Sequence, residues 1–324
     1  MQGAQAHWLP DGRRLHLNHG PIDLIVEAFG DPSEVRAAYE QAVARFRTVL
    51  AELVEELPDL RRPARPGRPR AFRGTVARRM EAAVAPLAHE FLTPMAAVAG
   101  AVADEMMAVL CQGRRLRKAY VNNGGDSALH LLPGQELSMA VAGTGNGFGD
   151  RMTVRACDPV RGIATSGWRG RSFSLGIADA VMVLARSAAE ADAAATVIAN
   201  AVDLPGHPAI RRQPACELAP ESDLGERQVT VDVGKLMNGE IEEALVRGLA
   251  VAEMLRRYER IEGAALFLSG ETRICGAIAG SPKAALPEGG CGGLLRGKRS
   301  QQAIAHSAEQ GSFACLNSPF ARPW

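Results

Sequence analysis

The stretch "YVNNGGDSALHL" (120–131) decides how this chain is read. Tyr120 and Val121 favour strands, and so does the alternation in Ser127-Ala128-Leu129-His130-Leu131. Between them, Gly124 and Gly125 supply backbone angles closed to other residues, so the segment predicts a β-hairpin. A turn of bare backbone also admits a ligand closely, with Asn123 and Asp126 beside it to bond. Turn and site are compatible readings, and the rest of the chain weighs them.

The chain has 324 residues, enough for one large domain or two modest ones. Apolar residues make up 47% and aromatics only 5%, so the core is built mainly from Ala, Val and Leu. A net charge of +1 gives no overall field toward nucleic acid or acidic membranes. The basic run "RRPARPGRPRAFRG" (61–74), interspersed with Pro and Gly, reads as an exposed linker, with a phosphate-binding loop as the sharper alternative. The six cysteines, at 111, 157, 216, 275, 291 and 315, have no zinc-like spacing. The first residues carry no apolar signal core, and the apolar run 95–111 is interrupted by Asp104 and Glu105, too short and charged for a membrane span. A cytoplasmic protein with reduced thiols is expected.

Along the chain, "GPIDLIVEAFG" (20–30) predicts a strand, and "DPSE" opens a helix. Asp31 caps that helix, Pro32 takes its first position, and Glu34 reaches back to the cap. It runs to Leu57 on a stripe of Val35, Ala38, Ala42, Phe46, Leu50 and Val54. A shorter helix covers about 75–87, and another starts at Thr93-Pro94. A strand meander covers about 118–156. Its "GTGNGFGD" (143–150) is read as a flexible turn, since no helix follows as a dinucleotide fingerprint requires. A strand at 179–185 leads into a helix capped by Ser187 with Glu190 as its box partner. The last ordered unit comprises "QVTVDVGKLMN" (228–238), a helix at about 240–257 and the strand "GAALFLSG" (263–270), followed by "ETRICG" (271–276). One domain over 1–280 and a poorly structured tail over 281–324 are expected.

On the Ser187-capped helix, Asp192 and Thr196 lie four apart on one face with only alanines between them. Carboxylate and hydroxyl are hard oxygen ligands suited to Mg²⁺, or else Asp192 bonds backbone and Thr196 is a tolerated core residue. The small polar segment "ATSG" (164–167) presents hydroxyls and N–H groups to a phosphate, or is a turn.

Taken in order, Gly124-Gly125-Asp126, then Ala164–Gly167, then Ala191-Asp192-Ala193-x-x-Thr196 resemble the ApbE superfamily, flavin transferases that move FMN from FAD onto a protein threonine. The longer series "GPIDLIVEA…ARRM…TPMAAVAGAVADE…YVNNGGD…TSG…ADA…ADAAAT" is similar to a branch of ApbE-like proteins shared by methanogens and various bacteria, and spans roughly 12–280. The resemblance implies an α+β fold, with mixed or antiparallel sheets and packed helices. It implies a flavin-type pocket lined by Asn123, Gly124, Gly125, Asp126, Thr165, Ser166 and Gly167, and Mg²⁺ held by Asp192 and Thr196 against the pyrophosphate of FAD. The transferases carry a His-x-x-Asp-Pro segment after Thr-Ser-Gly. Here "WRGRSFSLGIADAV" (168–181) follows, with Arg171 near the histidine's place, and Asp158-Pro159 falls on the wrong side. Asp126 and Asp179 are the candidate catalytic acids, Asp179 otherwise being a turn residue. A flavin or pterin nucleotide is the expected small-molecule partner, with an acceptor protein and a homodimer compatible with it, and neither nucleic acid nor membrane. The alternatives are a non-catalytic flavin or pterin binder in a cofactor pathway, such as tetrahydromethanopterin-linked one-carbon metabolism, and an assembly protein that keeps the fold without a ligand.

Overall fold

The computed structural model describes residues 3–140 and 151–276. The glycine-rich segment 143–150 and the tail 281–324 lie outside the described residues. The first strands are β1 (Gln5–Trp8), β2 (Leu15–His19) and β3 (Ile22–Gly30). Helices α1 (Pro32–Leu60), α2 (Thr75–Val84) and α3 (Val98–Cys111) follow, with 3-10 turns at Ala85–Leu87 and Pro94–Ala97. Then come β4 (Leu116–Asn123), β5 (Asp126–Leu131), β6 (Glu136–Ala140), β7 (Arg151–Arg155), β8 (Gly162–Ser166) and β9 (Ala180–Ala185). Helix α4 (Ala188–Ala201), β10 (Ile210–Pro214), the single turn α5 (Ala215–Leu218), β11 (Gln228–Val233), α6 (Asn238–Arg257), β12 (Gly263–Leu268) and β13 (Glu271–Gly276) complete the order.

The fold is α+β. Nine strands form one antiparallel sheet in the order β1-β2-β3-β4-β5-β8-β9-β12-β13. β6–β7 and β10–β11 are separate hairpin-like pairs. The alternation of each strand sorts its side chains between two cores. Leu24, Val121, Ala128, Ala164, Val183 and Leu266 pack with the helices on one face. Tyr120, Leu129, Ile163, Met182 and Phe267 pack under the β6–β7 pair on the other. Because both faces are covered, β9 and β12 are buried at every position and read as continuous apolar runs.

Several local expectations are corrected. Asp31 caps α1 by accepting the Ser33 N–H at 2.8 Å, but Glu34 does not reach back to it. Glu34 instead accepts the Arg115 N–H at 3.0 Å, tying α1 to the entry of β4. Val54 is exposed, and Val49 and Leu53 are buried in its stead, because a 3.6-residue period drifts off a strict four-residue row over so long a helix. The 61–74 stretch is irregular yet anchored: Ala64 and Phe72 are buried, and Arg70 pairs with the buried Glu81 at 2.9 Å. The Pro94–Cys111 run does reach the length and composition of a membrane span, and most of it is buried within the fold as a core element. The 3-10 turn there, capped by Thr93, ends at Ala97 and starts α3 afresh at Val98.

Helix α3 is gripped by its neighbours. Glu105 is reached by Arg45 of α1 at 3.0 Å, and by Arg79 at 3.2 Å and the Thr75 hydroxyl at 2.6 Å, both of α2. Against α4 the contact is backbone to backbone. A Cβ on Gly100 would lie 2.2 Å from the Ala188 carbonyl oxygen, and one on Gly162 would lie 1.9 Å from the Ser187 carbonyl carbon. The alanines of α4 leave room for this approach, and those at 188, 189, 191, 193, 194 and 195 are buried.

Candidate functional site

The ends of β4, β5 and β8 meet the N-terminal turns of α3 and α4 on the helix side of the sheet. The β4–β5 connection is a two-residue hairpin, since Asn123 registers with Asp126. Gly124 has φ +67° and Gly125 φ +145°, conformations that L side chains rarely adopt. The turn is thus a turn, but it is not bare. The Arg171 guanidinium lies directly over Gly124, where a Cβ would fall 1.6 Å from its Nη2. Nothing stands within 4 Å of a Cβ at Gly125.

The residues on either side of the glycines face the helices. Asn123 is buried, and its amide donates to the Ala99 carbonyl at 3.1 Å, which ties the turn to the start of α3. Asp126 is 8% exposed and accepts the Thr165 N–H at 3.1 Å. Burial pushes its carboxyl up to about 7, against the opposing pull of that N–H and of the Arg171 charge. On β8 the alternation turns the Thr165 side chain to solvent and gives the site its backbone N–H, while half-buried Ser166 shares the face of Ala164. Gly167, at φ +153°, passes so close to the start of β9 that a Cβ would lie 2.6 Å from the Asp179 carbonyl oxygen.

Asp192 enters from α4. Its Oδ2 accepts the Gly100 N–H at 3.0 Å, so the first turn of α3 aims its free donors at this carboxylate. The close α3–α4 crossing makes that bond possible. Asp104, one turn further along α3, accepts the Ala188 and Ala189 N–H groups at 3.0 and 2.9 Å and thereby caps α4. Burial holds the Asp192 carboxyl well above its ordinary range, and the neighbouring Asp126 raises it further, as does Asp104. Thr196 follows one turn later, half-buried on the same row. The structure therefore gathers Asn123, Gly124, Asp126, Thr165 and Asp192, with Thr196 next along the helix. Asp179 is engaged elsewhere: it pairs with Arg169 at 2.6 Å and accepts the Ser269 N–H at 2.6 Å.

The donor set suits a hard divalent cation. Asp192, half-buried and held up by desolvation and by the buried Asp126 beside it, is a carboxylate whose ionisation a bound cation favours, and its oxygens match Mg²⁺ chemistry. Among the described residues no group of three or more His, Cys, Asp or Glu side chains forms a metal cage. An ion here would complete its shell with water and ligand oxygens, the usual habit of Mg²⁺. An open cleft between α1 and α2, lined by Arg45, Glu52, Glu56 and Thr75, is a separate place whose charges close on one another.

Sequence reasoning did not find Gly100, Ala99 or Asp104. Their only advance signal was the Gly/Ala composition of α3, which marks close packing without naming the partner. Arg171 was visible as the residue in the histidine's place, but its seat on Gly124 was not.

Among relatives, a UPF0280 protein of Methanocaldococcus jannaschii is 38% identical over 112 residues, 33% of this chain and 44% of that protein. A UPF0280 protein of Methanothermobacter thermautotrophicus is 36% identical over 114 residues, 35% of this chain and 43% of that one. The matched stretch thus spans less than half the length of these curated relatives. Of solved structures, the flavin transferase ApbE from Vibrio cholerae matches 84% of this chain and 97% of its own at 14% identity, with a TM-score of 0.37. The flavinyl transferase ApbE of Pseudomonas stutzeri matches 85% and 95% at 11% identity, with a TM-score of 0.39. The family described as AbpE bacteria matches residues 6–274, nearly the whole described fold, and this chain belongs to that family.

Proposed function

We propose that this chain is a Mg²⁺-dependent flavin-nucleotide protein of the transferase type, taking FAD at the Asp126–Asp192 cluster and transferring FMN to a hydroxyl-bearing acceptor. The observation that carries the reading is the pairing of buried Asp126 with half-buried Asp192, set against the free N–H groups of α3 and beside an arginine seated on the glycine turn. Asp192 and Thr196 would hold the ion, which would supply charge neutralisation at the pyrophosphate. Arg171, exposed over Gly124, adds a positive charge at the same place, where the resemblance would set a histidine. Asp126 is the proton acceptor. Its burial lifts it out of the weak-base range of an ordinary carboxylate, toward the value a general base needs. The acceptor oxygen bonds to the FMN-side phosphorus, the bond to the AMP oxygen breaks, and the acceptor proton passes to Asp126. The residues up to about 280 act as one unit in this reading.

The alternative, a binder of flavin or pterin nucleotides without transfer, is favoured by the loop 168–179. Its Asp179 is committed to Arg169 and Ser269, so it leaves Asp126 as the one candidate base. The test is incubation of the protein with FAD, Mg²⁺ and an acceptor protein, read by flavin fluorescence in a denaturing gel. Labelling that disappears in Asp192→Asn supports transfer. FAD binding without labelling supports the binder, and neither binding nor labelling removes both.

A further inference from the structure

Helix α6 buries Ile241, Ala244, Leu245, Gly248, Ala252 and Leu255 against the sheet and α4. Its opposite face carries charged residues, as a surface helix should, but an apolar row runs through them. Val246 is 49% exposed, Met254 40% and Tyr258 68%, and Ala250, also exposed, fills the gap between them. These four stand at every fourth position, so they form one continuous row along about three turns. Three of the eight large hydrophobic side chains that the described residues expose lie on this row.

The charges beside the row are symmetric about Ala250, while Tyr258, eight positions on, falls opposite Glu242. Glu243 and Arg257 lie seven positions on either side of Ala250, Arg247 and Glu253 three positions, and Val246 and Met254 four. A second α6 laid antiparallel across a twofold axis at Ala250 therefore sets Glu243 against Arg257, Arg247 against Glu253, and Val246 against Met254. Each pairing occurs twice, because a twofold interface is isologous. In the isolated chain Arg247 reaches Glu243 at 2.7 Å within the helix, and both are about half exposed, so these side chains are free to exchange partners. The small side chain of Ala250 permits close approach at the axis. Equal numbers of acidic and basic flanking residues give no preference for an anionic surface such as a membrane.

We infer that the outer face of α6 is a self-association surface, and that its occupant is the same face of a second copy of this chain. The inference is independent of the proposed chemistry. A row of this size makes a small interface, at the low end of specific contacts.

The experiment is sedimentation equilibrium of the full-length chain from about 1 to 100 μM, the range in which an interface of modest size dissociates. A reversible dimer is expected. Met254→Asp, at a surface position outside the core, should weaken it at least about tenfold without changing the monomer's circular dichroism. Glu243→Arg alone and Arg257→Glu alone each set like charges together twice and should weaken it by about the same factor. The double variant restores opposite charges and should return to within about threefold of the parent. A chain that stays monomeric to the highest concentration overturns the inference. So does a dimer indifferent to Met254→Asp, or a double variant no tighter than the singles.

Discussion

At the scale of the residue, the site is built from groups placed against their own preference. A carboxylate held above its ordinary value by burial and by a like charge destabilises the fold near neutral pH, because the folded state resists ionisation that the unfolded chain permits. Asp192 is in that position. Asn in its place keeps an oxygen for the Gly100 N–H and removes the charge. Asp192→Asn is therefore expected to raise the melting temperature of the metal-free protein by a few degrees, on the order of 1 kcal/mol or more, while abolishing Mg²⁺-dependent FAD binding. Differential scanning calorimetry in EDTA checks the first part and titration with FAD the second. A variant that melts lower in EDTA and binds FAD normally would make Asp192 a structural acceptor only. This residue, like Asp126, was legible in the sequence, because both sit in short motifs that carry the family resemblance. The seat of Arg171 on Gly124 was not, since it depends on a loop folding back over a turn some 45 residues earlier in the chain.

At the scale of the element, helices α1 and α4 were legible from their caps, and α2, α3 and α6 as helical segments in their approximate places. The strands β1, β2 and β10 were not, being short, with polar or charged side chains at the surface. The α3–α4 crossing was invisible for a different reason: a glycine in a helix says that something is near, and only the fold says what. Gly100→Ala is a sharp case. In an isolated helix the change favours the fold by up to about 1 kcal/mol. Here the new methyl meets the Ala188 backbone, which has no rotamer to yield, so the helices must separate. A loss of about 2–3 kcal/mol by urea denaturation is expected, with weaker FAD binding as the Gly100–Asp192 bond lengthens. A stabilised Gly100→Ala protein would mean that the helices part easily. The other grip on α3 is the Glu105 carboxylate. Burial opposes its ionisation, but the Thr75 hydroxyl and the Arg45 and Arg79 guanidinium groups prevail and hold its pKa below the ordinary value. A depressed carboxyl pKa contributes stability that is complete above the unfolded value of about 4.3 and is lost as pH falls through the folded one. Arg79 is 40% exposed and screened by water, so Glu105→Gln is expected to cost only about 2 kcal/mol near neutral pH, and less below pH 4. Melting curves of parent and variant that differ equally at both pH values would show that the charge contributes nothing.

At the scale of the whole molecule, the sequence order of the strands hides the sheet. After β5 the chain leaves for the β6–β7 pair and returns at β8, so the central β5–β8 contact joins strands that no local pattern connects. That contact is also the shortest in the sheet. Its register covers Ser127 with Ile163 and Ala128 with Gly162, whereas β3 and β4 register from Leu24 to Gly30. The Asp126–Thr165 bond and the Leu129 N–H bond to the Arg161 carbonyl extend the seam by side chain and backbone. The candidate site therefore lies where the two halves of the sheet are least tightly laddered, and one of its carboxylates is part of the stitching. Two consequences follow for native-state hydrogen exchange. In the ligand-free protein the amides of Leu129 and Thr165 should exchange faster than those of Val121 and Val183, which lie within longer ladders. With Mg²⁺ and FAD bound, a ligand held jointly by Asp126 on β5 and Asp192 on α4 should slow Leu129 and Thr165 more than it slows the interior of β3–β4, because binding to the closed state is linked to every opening that separates those residues. Uniform slowing across the sheet would indicate that the ligand stabilises only global folding. No slowing at Thr165 despite tight binding would place the ligand away from the seam and detach Asp126 from the site.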